Sequence, residues 1–432
     1  MTRAKSTGAR YALGLALIAC LILGGGTARG LTVDAALQIL VILCSTYVIV
    51  RLWDNPASKA GIVFFLLVLC AGILQLVPLP TSLLSGFRPD AFIPFEPGSA
   101  DTLDTATISL AASRTVQSVI FALVPIWFFV AASKLAPSDL TGLIPFYVIG
   151  VLCNLAAAII QYSLSSGATL NDLLGYPVMV GMFANVNHFS TVLFSSIPII
   201  LYMGVFMNRG LFAASAMLLI LLVLLAAGSM AGILIGFVIV AVSLLSLAWR
   251  ARAGGLLALV AIAVLAVYGY GAFTQIEAQT IDPEYGRRYF ALTTLDAIRE
   301  NWLLGVGFGA FDMAFPHYEP RDAIHAWYVN HAHNDFLEVL FEGGLAGALI
   351  LGAYIAAILW RAIKVGSFPL QRLAFLSILM VLVHSTVEYP LRTMAVAMVF
   401  AFFNALLFSE SEARQARGRP QGREEYLPAE AR

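Results

Sequence analysis

The chain has 432 residues, of which 60% are hydrophobic and only 12% carry a charged side chain. Soluble globular domains contain about 25% charged residues, so this composition excludes an ordinary soluble fold. The formal net charge is zero, and nothing in the charge balance indicates nucleic-acid binding. Apolar runs long enough to cross a bilayer as a helix of about 20 residues recur along the whole chain.

These runs predict an all-α polytopic membrane protein with about 12 transmembrane helices. The first run lacks a small-residue cleavage site after it, so we interpret it as a retained anchor and not as a signal peptide. One apolar stretch, 211–249, is divided at AAGSMAG because its length suits two crossings. The predicted spans are 11–28, 31–50, 60–78, 115–133, 139–162, 187–207, 211–228, 230–249, 255–273, 337–360, 370–387 and 392–408.

The distribution of Lys and Arg predicts the orientation, because cytoplasmic loops are enriched in both. With the N-terminus in the cytoplasm, every lysine and most arginines fall on the inner side, which predicts an N-in, C-in topology. Helices 1–9 then occupy residues 1–273, with an outer loop at about 79–114. A large, partly helical periplasmic loop follows at 274–336, helices 10–12 occupy 337–408, and a charged tail at 409–432 is expected to be disordered.

The four cysteines all lie in apolar runs and form no CxxC pair, so we interpret them as packing residues and not as metal or redox ligands. They are Cys20, Cys44, Cys70 and Cys153.

The histidines indicate the side of the membrane on which chemistry takes place. In the predicted topology all of them lie in the large loop or near the outer end of a helix. In a Gram-negative cell this side is the periplasm, which has no ATP pool, and the chain contains no GxxxxGK[ST] motif. An enzyme working there needs a substrate that arrives activated, such as a sugar pyrophosphate on a lipid carrier. The histidines are His188, His317, His325, His331, His333 and His384.

Glycosyl transfer from a lipid pyrophosphate requires cations for the leaving group and a base for the attacking hydroxyl. Arginine forks match phosphate oxygens, and a histidine or a carboxylate suits the base. The outer face offers both kinds of group, although the same set would suit other enzymes and some transporters. Besides the histidines it carries Arg287, Arg288, Arg299, Arg392, Glu338, Glu342 and Glu388.

The segment 286–311 is predicted to form an amphipathic helix followed by a Gly-rich turn. Four side chains share one face at helical spacing: Tyr289, Leu292, Leu295 and Ile298. An alternative to a catalytic role is that this helix rests on the membrane surface, where Arg287 and Arg288 would touch only lipid headgroups.

Residues 286–350 resemble the O-antigen ligase and O-antigen polymerase family of bacterial envelope glycan enzymes. The family signature is a His, a small amide or hydroxyl residue, nine further residues and then Gly-x-x-Gly. Here it is His333, Asn334, DFLEVLFEG, and then Gly344 and Gly347 at the two glycine positions. RENWLLGVGFGAF resembles the turn before the loop tip, GMFANVNHFS a segment that opens a helix, and HSTVEYPLR a late motif at an outer helix end.

The resemblance implies an inverting, metal-independent transfer from an undecaprenyl-pyrophosphate glycan to a hydroxyl of a glycan or lipid-linked acceptor. It implies no cofactor, and it places the protein in the inner membrane with a periplasmic active face. His333 would be the catalytic or phosphate-contacting histidine, and either Arg287 or Arg288 the loop arginine.

Further site residues follow from position and chemistry. Glu338 is a second catalytic candidate, because carboxylates near the membrane interface are costly and suggest function. Contacts to the substrate or its pyrophosphate are expected from Arg287, Arg288, Asn334, Arg392, Asn187 and His188. Additional candidates are His331, Glu342, His384, Glu388 and Arg114.

Structural interpretations of these residues remain open. His331, His333 and Asp335 would suit a metal site if they converged, and His331 alone would suit a solvated loop. Asn334 or Asp335 would cap the helix that follows.

Two helical pairs also have structural interpretations. His384 and Glu388 are four residues apart on a predicted helix and could bond to each other, while Gly343 and Gly347 are spaced for close helix packing.

The sequence departs from the family at one turn. Members carry Ser-Arg-Gly between the seventh and eighth helices, where the arginine is thought to hold pyrophosphate. Here Met230 takes the position of that arginine and cannot bind phosphate. Arg114 or Arg392 is a possible substitute.

Two other functions are alternatives. A transporter of lipid-linked glycan would show inverted repeats and helices broken at mid-bilayer, and the sequence indicates neither. A protein O-oligosaccharyltransferase shares the signature and differs only in its acceptor.

Overall fold

The computed structural model describes residues 2–28, 30–89, 92–93, 103–164, 180–251, 269, 286–319, 329–365 and 368–409. Eight helices in these residues are long and apolar enough to cross a membrane, and three shorter apolar helices accompany them. The predicted multi-pass helical protein is confirmed, while the count of twelve spans and the N-in, C-in topology stay predictions. The predicted span 255–273 and the tail lie almost wholly outside the described residues.

The helices are α1 (Thr2–Leu23), α2 (Thr32–Arg51), α3 (Lys59–Leu76), α4 (Thr81–Leu84), α5 (Ala112–Ser133), α6 (Pro137–Thr141), α7 (Ile144–Leu164), α8 (Val186–Phe206), α9 (Gly210–Ala227), α10 (Met230–Ala251), α11 (Arg287–Asn301), α12 (Phe311–Ala314), α13 (Asp335–Lys364), α14 (Pro369–His384) and α15 (Met394–Phe408). Short 3₁₀ turns occupy Phe315–His317 and Pro390–Arg392. Strand β1 (Pro78–Pro80) pairs antiparallel with β2 (Thr105–Thr107), with Leu79 opposite Ala106.

Helices α8 and α15 form the centre of the bundle, since 15 of the 21 residues of α8 and 13 of the 15 residues of α15 are buried. The hydroxyls of α8 bond to carbonyls one turn earlier, for example Ser190 Oγ to the carbonyl of Val186 at 2.8 Å, so they add no unpaired polar group. Peripheral helices instead expose apolar side chains such as Leu43 of α2 and Leu66 of α3, as expected of surfaces that face lipid.

Helix α13 is not the continuous helix that the sequence predicted, because it breaks at Gly344. This residue has φ 53° and ψ −137°, a conformation that side chains oppose and glycine accepts. The break brings Gly347 so close to the first half of the helix that a Cβ there would lie 2.5 Å from the carbonyl oxygen of Val339. The two signature glycines therefore shape a bend, whereas the sequence suggested close packing of Gly343 and Gly347 against another helix.

The break frees backbone carbonyls, and protein groups satisfy them. The amide of Val306 donates to the carbonyl of Phe341 at 3.1 Å, and the amide of Gly307 to that of Glu342 at 3.0 Å. The side-chain amide of Gln75 also donates to the Glu342 carbonyl at 2.9 Å. In transporters, broken helices offer their freed backbone groups to a substrate or an ion. Here the freed carbonyls accept hydrogen bonds from the protein itself.

Candidate functional site

The start of α13 directs three carboxylates toward one arginine. The Oδ1 atom of Asn334 accepts from the amides of Phe336 and Leu337, at 3.0 and 3.1 Å, and so caps the helix as predicted. Asp335, Glu338 and Glu342 follow at spacings of three and four residues, which places them along one side of the helix.

Arg392 meets all three of these carboxylates. One terminal guanidinium nitrogen, Nη2, lies 2.9 Å from Glu342 and 3.4 Å from Glu338, and Nε lies 3.9 Å from Asp335. We call Asp335, Glu338, Glu342 and Arg392 the arginine cluster. Burial lowers the pKa of Arg392, but the three carboxylate charges outweigh burial and raise it, so the guanidinium stays charged.

His331 belongs to the edge of this cluster. Its Nδ1 atom lies 2.7 Å from Oε1 of Glu338, and the amide of Ala332 donates to Oε2 of Glu338 at 3.0 Å. His331 is only 6% exposed, so the alternative of a solvated loop residue is wrong.

A second cluster surrounds Glu388, whose side chain is fully buried. Its Oε1 atom accepts from the guanidinium of Arg287 and from the side-chain amide of Asn187, the latter at 2.6 Å. Its Oε2 atom lies 3.4 Å from Nδ1 of His333 and 3.9 Å from Nε2 of His188. We call these five residues the glutamate cluster.

Opposing effects set the protonation state of Glu388. Burial raises its pKa, but the neighbouring His333 and Arg287 outweigh burial and lower the pKa to about 2. The group is therefore a carboxylate near neutral pH. Two members of the glutamate cluster reach the surface, since the side chain of Arg287 is 45% exposed and that of His333 is 24% exposed.

Tyr389 lies between the two clusters and was not among the predicted site residues. Its ring centre lies 4.2 Å from that of His331, 4.9 Å from that of His333 and 4.8 Å from that of His188. Burial raises the pKa of Tyr389, so its phenol remains protonated. The only available signal was its position directly after Glu388 in HSTVEYPLR.

His333 has a φ of 49°, which residues other than glycine seldom adopt. Such conformations persist where the surroundings hold them, and they occur often at functional sites. The ring of Phe290 stacks on the imidazole with centroids 5.7 Å apart. Asn334, the next residue in the chain, caps α13 and donates to the carbonyl of Thr386 at 2.8 Å. The imidazole is therefore held between α11 and the start of α13.

The turn that contains Met230 is connected to the glutamate cluster. Ser229 Oγ donates to Oδ1 of Asn187 at 2.7 Å, and Asn187 in turn donates to Glu388. This turn is therefore connected to a cation, Arg287, by a chain of hydrogen bonds through Asn187 and Glu388.

The two substitutes suggested for the missing arginine are paired elsewhere. Arg114 forms an ion pair with Asp312, and Arg392 is held in the arginine cluster. A pyrophosphate role for either residue stays a prediction.

Some predicted residues are not brought together. Arg288 is exposed, outside both clusters. His384 Nδ1 lies 2.7 Å from Thr191 Oγ1, and α14 ends at His384, so the expected bond to Glu388 along one helix is wrong. In the part of the chain that the structure describes, no group of three or more His, Cys, Asp or Glu side chains is arranged so that it could hold a metal ion.

A cavity of about 700 Å³ adjoins the arginine cluster. Its walls are mostly apolar side chains of α2, α3, α5, α13 and α15, and its polar end includes Arg392, Glu342, Asp335, His331 and Arg114. The shape and lining suit an amphiphilic molecule whose polar part faces the cluster.

Apolar helices with buried charge clusters at their ends define a multi-pass membrane protein with a polar site at one end of the bundle. The model of the O-antigen ligase family matches residues 212–352, about a third of the chain, and supports assignment of the chain to the O-antigen ligase/polymerase family. The resemblance found in the sequence is thereby confirmed. The match contains Arg287, His333 and Glu338, whereas Asn187 and Glu388 lie outside it. No curated protein matches the chain.

Proposed function

We propose that the protein is an inner-membrane glycosyltransferase that transfers glycan from undecaprenyl pyrophosphate to an acceptor hydroxyl on the periplasmic face. The observation that carries this proposal is the glutamate cluster, in which Arg287 and His333 both reach the surface and share the buried carboxylate of Glu388. A cation for a leaving pyrophosphate and a base for an incoming hydroxyl thus lie side by side.

Arg287 binds the donor pyrophosphate in this proposal. A guanidinium has five N–H donors, and the contact with Glu388 occupies only part of this set. With nearly half of the side chain exposed, the remaining donors can meet phosphate oxygens in a bidentate way.

His333 acts as the general base. The carboxylate of Glu388 near Nδ1 favours the tautomer that carries its proton on Nδ1, which leaves the lone pair of Nε2 for the substrate. Nε2 takes the proton of the acceptor hydroxyl as its oxygen attacks the anomeric carbon. The bond from that carbon to the pyrophosphate oxygen breaks, and the lipid pyrophosphate leaves with its charge balanced by Arg287. Attack opposite to the leaving group inverts the anomeric configuration.

The arginine cluster has a different role. Three carboxylates against one guanidinium make this region unfavourable for another polyanion, so we propose that it faces the acceptor and not the donor pyrophosphate. Glu338 orients His331 through its 2.7 Å contact, and the apolar cavity beside the cluster receives the lipid part of a substrate.

The test is an assay of purified protein in nanodiscs with a synthetic undecaprenyl-pyrophosphate glycan. We expect release of lipid pyrophosphate and formation of a longer glycan, and we expect Arg287→Ala to lose most of this activity. Arg288→Ala is the matched control, because it removes the same charge from the next position of the same helix and should remain active.

Two results would contradict the proposal. One is equal loss of activity in both arginine variants. The other is passage of intact donor across a vesicle membrane without cleavage, which is the behaviour of a transporter.

A further inference from the structure

Helix α11 presents an unusual surface. The residues at i, i+4, i+7, i+11 and i+14 form one stripe along it, and all of them are exposed: Arg288, Leu292, Leu295, Arg299 and Trp302. Leu292 is 52% exposed and Trp302 59%. Trp302 has helical φ and ψ at the C-terminal cap, so it continues the stripe.

The fully buried residues of α11 are polar or small: Thr293, Thr294, Ala297 and Asn301. The side chains of Thr294 and Asn301 bond within the protein, for example Asn301 Nδ2 to Tyr318 Oη at 2.7 Å. Two apolar side chains, Phe290 and Ile298, are partly buried beside them. Both leucines of the helix, in contrast, turn away from the protein.

The end of α11 lies beside a surface that faces lipid. The amide of Leu345, in the spanning helix α13, donates to the carbonyl of Leu303 at 3.2 Å. Leu345 and Leu349 are 41% and 65% exposed on α13, where the surroundings are acyl chains. The exposed stripe of α11 therefore continues into the lipid-facing surface of the bundle.

We propose that α11 lies in the membrane interface on the side of the glutamate cluster and binds phospholipid along this stripe. Leu292, Leu295 and Trp302 enter the boundary of the acyl chains, a position that tryptophan favours. Arg288 and Arg299 extend from the same face to lipid phosphates, with their methylene stems on the apolar side, and Arg299 also pairs with Asp296 at the edge of the stripe.

This position has a consequence for the site. Arg287 begins the same helix and contacts Glu388. A helix seated in the interface holds this guanidinium at the height of lipid headgroups, which is where the phosphates of a lipid-linked donor lie. The membrane position itself does not depend on the proposed reaction.

The position can be tested by fluorescence in nanodiscs that contain phospholipids brominated on their acyl chains. The contribution of Trp302 is the difference between the intact protein and the Trp302→Phe variant. We expect brominated lipid to remove most of this contribution, whereas aqueous acrylamide should remove little of it.

The matched control moves the tryptophan to the polar side of the same helix, in the double variant Trp302→Phe/Glu300→Trp. Glu300 is exposed and lies about 160° around the helix from Trp302, at 100° per residue. We expect acrylamide to quench the new tryptophan and brominated lipid to spare it.

Three results would overturn the proposal: quenching of Trp302 by acrylamide and not by lipid, quenching by neither agent, and equal lipid quenching at both positions. Quenching by neither would mean that protein covers the stripe, either another part of this chain or a second copy. A glycan transfer assay on the same variants is a separate measurement, so failure of the lipid contact would leave the proposed reaction standing.

Discussion

Among the described residues, Arg392 is the only arginine or lysine within 4 Å of the three carboxylates at the head of α13. Removing it in Arg392→Met leaves buried charges unpaired, and we expect a loss of about 3–5 kcal/mol in the free energy of unfolding. Thermal unfolding in detergent measures this loss. Arg299→Met is the control, because Arg299 pairs with Asp296 on an exposed surface, where an ion pair contributes about 1 kcal/mol or less. Similar losses in both variants would mean that the arginine cluster is not a stabilising network.

Glu388 makes a prediction about acid stability. Its pKa falls from 4.5 in the unfolded chain to about 2 in the folded protein. Between these values the unfolded state binds more protons, so the stabilising contribution is complete above pH 4.5 and is lost as pH falls toward 2. We expect Glu388→Gln to be less stable than the native protein above pH 4.5 and to lose less stability across this window.

Unfolding midpoints measured as a function of pH in an acid-resistant detergent check this behaviour. The control is Glu300→Gln, which removes an exposed carboxylate from α11. The prediction fails if Glu388→Gln and the native protein lose the same stability between the two pH values.

At the level of single residues, much of the candidate site could be predicted from the sequence. His333 and Asn334 follow from a motif with fixed spacing, and Arg287 is one of the two loop arginines that the resemblance implied. The structure places His333 and Arg287 against one carboxylate. The sequence could not separate Arg287 from Arg288, because the choice depends on which side of α11 packs. It also could not pair Asn187 with Glu388, which are 201 positions apart and meet only through tertiary packing.

At the scale of elements, the bend in α13 depends on Gly344. A side chain at this φ and ψ is strained, and a Cβ would lie 2.5 Å from the amide nitrogen of Gly305. We expect Gly344→Ala to lower the free energy of unfolding by about 1–3 kcal/mol or more. Thermal unfolding of the two purified variants Gly344→Ala and Gly352→Ala measures the difference. Gly352 lies in the same helix with open space around it, so alanine there should be neutral or stabilising by about 0.5–1 kcal/mol.

A neutral Gly344→Ala variant would show that the helix can straighten without cost and that the contacts of Val306 and Gly307 are dispensable. Glycan transfer by the same variant gives a second measurement. The bend positions Glu342 and the backbone of the Gly-rich turn, so we also expect reduced activity.

The spans were predictable because the bilayer sets their length. The predicted segment 187–207 is observed as Val186–Phe206, whereas 370–387 is observed as the shorter apolar helix Pro369–His384. The break at Gly344 was not predictable, because apolar periodicity continues through it. The bent helix is stable because the segment 303–307 packs against it and the amides of Val306 and Gly307 donate to the freed carbonyls.

At the scale of the whole molecule, the site forms where helix ends converge. The starts of α8, α10, α13 and α15 and the end of α14 meet around the two clusters. Chain direction alternates along these helices, as a bundle that crosses a membrane back and forth requires. The convergence places the polar residues of both clusters at one end of the bundle, and the Lys and Arg distribution predicts that this end is outside.

Orientation can be measured with two aspartate-to-cysteine variants. Asp296 lies on the polar side of α11, near the site, and Asp54 lies in the loop between α2 and α3 that the sequence places in the cytoplasm. A maleimide that cannot cross membranes should label Asp296→Cys in intact spheroplasts and Asp54→Cys only after lysis. The native chain, with its four cysteines in apolar runs, supplies the background. Labelling of both cysteines in intact spheroplasts would mean that the two positions lie on the same side and that the predicted number of spans between them is wrong. Labelling of Asp54→Cys alone would invert the topology. An inverted topology would place the site on the cytoplasmic side. A soluble activated sugar would then be an alternative donor, and the argument for a lipid-linked donor would lose its basis.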